Sequence, residues 1–428
     1  MQQRRDFLKK TASIGVGAFG INSLFKRLHA ETFDKLDDFW EDDDANNESW
    51  WQPIQKAYTA NDSKIIMLNN GGVSPSPIVV QKALDKYNKI AAQGPSWYMW
   101  RELDKGREPL RHRLANLAGT DAEEIAINRN STEALNTIIF GLPLQKGDEV
   151  IGTVQDYPNM INAWKQRQQR EGLVYKQISF DFPIEDDETI VKAFENAITP
   201  QTKLLHVTHI INWVGQIMPV QKICRMAKSK GIEVLVDGAH SFGLLDFKIP
   251  DLECDYFGSS LHKFLSAPVG SGLLWIKKEH TSKIWPLVCN DHPQGDNIRK
   301  FETLGTRSFC IEQAIGEAIN FHEAIGSKRK QERIHYLKKY WAEQAAKIPK
   351  VKIHTSLSPA YSCAIAGVSI DGMKMEDLEK KLLDDFKIHT VSIHWENINC
   401  LRVTPHVYTR LGDLDKLLEG LQAIAKTV

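Results

Sequence analysis

The chain has 428 residues, 42% of them hydrophobic, with 54 Lys and Arg against 54 Asp and Glu. Such a length can bury one large core and a smaller second one, so two domains are the starting expectation. Zero formal net charge removes the clustered positive field that a nucleic-acid or membrane-surface partner needs, which leaves a small-molecule ligand as the default.

In chain order the first feature is the pair Arg4 and Arg5, followed by Phe7, Leu8, Lys9 and a mildly apolar stretch over 11–25. This is a signal-peptide layout, and it resembles a bacterial twin-arginine signal. It predicts an export signal over 1–30, processing after Ala30, and a periplasmic or secreted protein; the alternative is a cytoplasmic protein with a short tail. The run is too short to cross a membrane. Gly15, Gly17 and Gly20 spell GxGxxG, yet no strand precedes them, so the dinucleotide fingerprint is set aside. The acidic stretch that follows, with Glu41, Asp42, Asp43 and Asp44, reads as a solvated linker.

Short apolar runs at 124–128, 149–153, 173–180, 203–208, 232–236 and 273–276 alternate with helical patterns, clearest at 132–140 and 220–230, which close near Gly141 and Gly231. That alternation predicts βαβ units, a mainly parallel sheet and an α/β fold. From about 311 a long helical stretch should run to near 348, before Pro349, and mixed strands and helices should follow to 414–425. This predicts a second, smaller α+β domain. Cys224, Cys254, Cys289, Cys310, Cys363 and Cys400 lack paired spacing, so neither a zinc site nor a disulfide framework is indicated.

In an open parallel sheet the ligand sits at the carboxyl ends of the strands. Asp237 directly follows the run 232–236, so its carboxylate should point into that cleft, where an anion can keep a heteroaromatic ring nitrogen protonated. Its plainer reading is a helix cap. Lys263 follows Ser259-Ser260-Leu261-His262 and precedes the glycine turns at Gly270 and Gly272. An amine there could form an imine with an aldehyde cofactor and carry the substrate's α-proton, although a lone lysine is usually a solvated surface charge. Asn130, Ser131 and Thr132 stand between a strand and a helix start, a place suited to a phosphate; simple N-capping by Ser131 is the alternative.

With those residues in view the chain resembles the class V aminotransferase family, which includes isopenicillin N epimerase and the cysteine desulfurases. The likeness runs from about Asn69 to Tyr408 and rests on Asn-Ser-Thr-Glu-Ala-Leu-Asn at 130–136, Asp-Gly-Ala-His at 237–240, Leu-His-Lys at 261–263 and Phe-Glu-Thr-Leu-Gly-Thr-Arg at 301–307. It implies the fold type I of pyridoxal-phosphate (PLP) enzymes, with a segment 31–74 packing on a small domain over 311–428 and a large cofactor domain over 75–310. It also implies a homodimer with sites shared across the interface; the balanced charge already speaks against a nucleic-acid or membrane partner, and the Cys and His spacing against a metal.

Residue by residue, the resemblance gives Lys263 the Schiff base and Asp237 the pyridine nitrogen. His240 and Asn212 fall on the side of the ring hydroxyl. Ser131, Thr132, His262 and, from a second copy, Thr306 join Asn130 among the cofactor contacts. Arg402 would grip the substrate α-carboxylate, its alternative being an ordinary ion pair. Where many members read His-Glu-Tyr, this chain has Gln155-Asp156-Tyr157, and Tyr157 is the preferred ring-stacking candidate. His206 and His209, at odd spacing on a strand, read as structural or lining residues. Trp97, Tyr98 and Trp100 are an aromatic cluster of packing type.

A desulfurase would need a nucleophilic cysteine before the arginine, and 389–395 contain none. The expected activity is therefore amino-group transfer on an amino acid, with epimerisation or C–S cleavage as alternatives. A secreted binding protein with a degenerate site is the non-enzymatic one.

Overall fold

A computed structural model describes residues 44–428, so the twin-arginine segment and its glycines lie outside the described residues. Residues 54–428 form one compact unit, and the described residues 44–53 fall outside it. The larger unit runs β1 (Ile66–Met67), α1 (Ile78–Ala92), α2 (Arg107–Ala118), β2 (Ile125–Asn128), α3 (Ser131–Gly141), β3 (Glu149–Thr153), α4 (Pro158–Glu171), β4 (Val174–Ile178), α5 (Asp187–Ala197), β5 (Thr202–Thr208), α6 (Val220–Ser229), β6 (Glu233–Asp237), β7 (Tyr256–Ser260) and β8 (Gly272–Ile276). It continues with α7 (Phe309–Ile325), α8 (Ser327–Ala345), β9 (Val351–Ile353), β10 (Ala366–Ile370), α9 (Met375–Phe386), β11 (Ile388–His389), β12 (Val391–Trp395), β13 (Ile398–Val403) and α10 (Leu411–Ala425).

Seven strands form the central sheet in the order β2-β8-β7-β6-β5-β3-β4. Neighbours from β7 to β4 are parallel, whereas β8 runs antiparallel to both β2 and β7. Helices cover both faces, which is why β5 and β6 read as nearly unbroken apolar runs rather than alternating ones. One face carries Ile151, Leu205, Val207, Val236 and Phe257, the other Val150, Leu204, Leu235 and Tyr256. A second sheet, β12-β13-β10-β9, is antiparallel and builds its own core from Leu337, Trp341, Val368, Leu401 and Val403. The short strand β1 pairs in parallel with β11, and Asn69 bridges to Thr404, which brings the start of this unit to the C-terminal sheet.

The long helix expected from 311 to 348 is two helices. Gly326, at φ 91°, breaks it between α7 and α8. The helical pattern continues on both sides because each helix buries its own apolar stripe. No helix among the described residues is long and apolar enough to cross a membrane.

Candidate active site

The carboxyl ends of β5, β6 and β7 lie side by side, with Thr208 opposite Asp237 and Asp237 opposite Gly258. Asp237 is buried, and one carboxylate oxygen accepts the Ala239 amide at 2.9 Å. Desolvation holds its pKa above the ordinary aspartate value, offset chiefly by His206 and also by Lys263. The residue after it has to be glycine, since a Cβ on Gly238 would stand 1.9 Å from the Phe257 ring. The helix-cap reading of Asp237 does not apply, because no helix follows it directly.

Lys263 sits on a tight turn beyond β7, closed by the Ser266 amide donating to the Lys263 carbonyl at 3.1 Å, with Ser266 at φ 59°. Its Nζ lies 3.1 Å from His240 Nε2, and that nitrogen lies 2.7 Å from the Gly71 carbonyl. A carbonyl only accepts, so Nε2 carries the imidazole proton. Burial, reinforced by the Lys263 and Arg402 charges, keeps His240 neutral. Lys263 keeps part of its surface within reach of solvent, yet desolvation of its amine, with Asp237 pulling up and Arg402 pushing down, brings its pKa to about 8. A lysine so placed is largely available as a nucleophile and base near neutral pH.

Arg402, on β13, is buried and has no ion pair among the described residues. Nη1 donates to the Asn212 carbonyl at 3.0 Å and Nη2 to Asn69 Oδ1 at 2.9 Å, while Nε is buried without an acceptor. Burial lowers its pKa to about 10. An arginine held on neutral oxygens keeps its full charge for an anion, which sets aside the ordinary ion-pair reading. Tyr157, 41% exposed, reaches solvent at the N-cap of α4. Gln155 does not: it is fully buried, its amide donating to the Phe180 carbonyl at 2.9 Å and Asn397 at 2.9 Å. Asp156 fastens the same segment by accepting from the Thr153 amide and the Thr208 hydroxyl.

At the start of α3, Asn130 rather than Ser131 is the N-cap, accepting the Glu133 amide at 2.9 Å. Ser131 instead meets Ser260 on β7, whose Oγ lies 2.9 Å from both the Ser131 amide and its hydroxyl. Gly272 on β8 permits the approach, because a Cβ there would stand 2.5 Å from the Asn130 nitrogen. Thr132 is half-buried beside them, and His262 is half-buried with Nδ1 3.2 Å from the Ser271 carbonyl. Amides and hydroxyls at a helix N-terminus make an anion site. Thr306 stands apart on an exposed segment.

Sequence reading missed Ser260, Asn69 and Gly71. The Asn-Asn-Gly-Gly run at 69–72 is a turn signature, the one signal that could have directed attention there. His206 is structural as expected, accepting Trp164 Nε1 at 3.2 Å.

PLP needs an amine, an acid under its ring, an anion site for its phosphate and a cation for the substrate carboxylate. The desolvated Lys263 amine and the unmatched buried Arg402 Nε satisfy the demands that are hardest to meet by chance. The family model described as Aminotransferase class-V matches residues 66–394. Isopenicillin N epimerase of Amycolatopsis lactamdurans is 28% identical over 384 residues, covering 85% of this chain and 96% of that protein. The apo cysteine desulfurase of Thermococcus onnurineus NA1 superposes with TM-score 0.77 at 23% identity, over 88% of this chain and 98% of the other. A C-DES variant with glycine covalently linked to its PLP cofactor superposes with TM-score 0.78 at 21% identity, over 86% and 98%.

Proposed function

This chain belongs to the aminotransferase class V family and is a PLP-dependent enzyme, and from that premise we propose that it removes the α-proton of an amino acid and transfers the amino group. The observation that carries the reading is the Lys263 amine, desolvated and next to a neutral imidazole, in one electrostatic neighbourhood with Asp237 and Arg402. PLP supplies an aldehyde for that amine and a ring that takes up the electron pair left at the α-carbon. Asp237 keeps the ring nitrogen charged, and Ser131, Thr132, Ser260 and His262 are assigned to the phosphate side. Arg402 receives the carboxylate with its remaining N–H groups, orienting the α-hydrogen toward Lys263. The amine, about half deprotonated near pH 8, takes the proton and can return it to another carbon, and amino-group transfer requires no further acid or base. Exposed Thr306 is assigned to the pocket of a second copy, which makes a homodimer the working unit.

Desulfuration through a nucleophilic thiol of this chain has little support, whereas C–S cleavage by elimination, which needs no such thiol, stays open as an alternative. The chain between Val391 and Val403 is a tight hairpin with Trp395 opposite Ile398, which leaves no loop to carry a nucleophile. Cys400 is buried in β13 with its thiol pushed up to about 12 by desolvation. Epimerisation is the second reading, favoured by the similarity to an isopenicillin N epimerase; Tyr157 is the candidate for the second acid-base group that it requires. Incubation with single amino acids in deuterated water separates the two. Keto-acid formation is expected; inversion with deuterium at the α-carbon and no keto acid would transfer the assignment to epimerisation.

A further inference from the structure

We propose that Asn69 is a positioning residue for the substrate carboxylate, and that the turn at 69–72 ties the carboxylate pocket to the catalytic amine. The inference rests on the carboxylate role given to Arg402 above. Two distances define it: Asn69 Oδ1 accepts from Arg402 Nη2 at 2.9 Å, and, two residues on, the Gly71 carbonyl lies 2.7 Å from His240 Nε2, the nitrogen that touches Lys263. One four-residue turn therefore contacts both the cation and the amine's partner.

The turn is held from several sides. The Gly72 amide closes it on the Asn69 carbonyl at 3.1 Å. The Asn70 side chain donates to the Thr404 carbonyl at 2.8 Å and accepts the Tyr408 hydroxyl at 2.6 Å. Ser74 links it to the catalytic strand end, donating its hydroxyl to the Asn70 carbonyl and its amide to the His262 carbonyl, both at 3.1 Å. Glycine at 71 permits close packing, since a Cβ would stand 3.3 Å from Thr404 Oγ1 and 3.6 Å from the Arg402 guanidinium carbon.

The choice of asparagine follows from charge. A guanidinium has five N–H donors; Asn212 and Asn69 occupy two, both through neutral oxygens. Asn69 Nδ2 lies 3.4 Å from His389 Nε2, which orients the amide with its oxygen toward Arg402. A carboxylate at 69 would hold the arginine equally well but would neutralise it, leaving nothing for the ligand.

The test compares Asn69→Asp, Asn69→Ser and Arg402→Met with the parent, using propionate as probe on the cofactor-free protein by saturation-transfer NMR. It adds the pH at which Lys263 reacts with an amine reagent, followed by peptide mass spectrometry. Asn69→Asp should weaken propionate binding by about tenfold or more, the order expected for one charged hydrogen bond. It should also raise the Lys263 midpoint, because Arg402 no longer presses it down. Asn69→Ser should weaken binding less and leave the midpoint where it is. Unchanged propionate binding in Asn69→Asp, with binding lost in Arg402→Met, overturns this proposal alone. Binding retained in Arg402→Met overturns the carboxylate role of Arg402 itself.

Discussion

Desolvation brings several buried lysines of this chain toward neutral pH. Lys263→Ala should replace the absorption of the protein-bound imine with that of the free aldehyde and lower turnover by about 100- to 10,000-fold, measured by spectroscopy and initial rates; a spectrum like the parent's would remove the lysine from the mechanism. Lys330 is buried in the core without a carboxylate partner among the described residues, donating to the Phe264 carbonyl one residue after Lys263, and desolvation lowers its pKa to about 7. Below that pH the folded and unfolded forms are both protonated and the burial cost stands in full. Between about 7 and the unfolded value the unfolded chain binds the extra proton, so stability rises with pH, by up to about 1.4 kcal/mol per unit. Lys330→Met should therefore shift the urea midpoint upward more at pH 6 than at pH 9, and an equal shift at both would contradict it. Asp237 and Lys263 were singled out in the sequence by their places after apolar runs and before glycine turns, and Arg402 only by the family resemblance of the segment around it. Asn69 and Ser260 were not, since small polar residues serve turns and strands everywhere and only the fold decides which face a ligand.

Among the elements, the β12–β13 hairpin holds the backbone that leads to Tyr157. Trp395 stacks on Trp213 at 5.5 Å and donates Nε1 to the Val154 carbonyl at 2.7 Å, while Trp213 donates to the Gln155 carbonyl at 2.8 Å. Both indoles thus grip the segment that ends in Tyr157. Trp395→Ala should cost about 2–3 kcal/mol in urea unfolding and speed hydrogen exchange at 154–157; amides as protected as before would show that the segment holds itself. Gly326→Ala meets no atom within 4 Å but forces an L residue to φ 91°, so a loss of about 1–2 kcal/mol should appear in thermal unfolding from backbone strain alone. The split between α7 and α8 was hidden in the sequence because a single glycine inside a continuing helical pattern signals a break only weakly. Strand direction was hidden as well: a buried apolar run such as 273–276 looks the same parallel or antiparallel, and β8 proved antiparallel.

For the whole molecule, the α/β class and the site at the strand ends followed from the alternation of runs. Why the pocket needs both ends of the unit did not, because no local pattern reports a pairing between β1 and β11. Removing PLP should lower the unfolding temperature by the linkage of binding to folding, about 2.7 kcal/mol at a hundredfold excess over the dissociation constant; identical melts with and without PLP would mean that the folded state holds none. The hydrogen bond between Asn69 and Arg402 spans 333 positions, and this separation has a consequence for biosynthesis. Asp237 and Lys263 emerge from the ribosome before residue 402 does, so the contact that joins Asn69 to Arg402 can close only after the strands carrying the acid and the amine have been made.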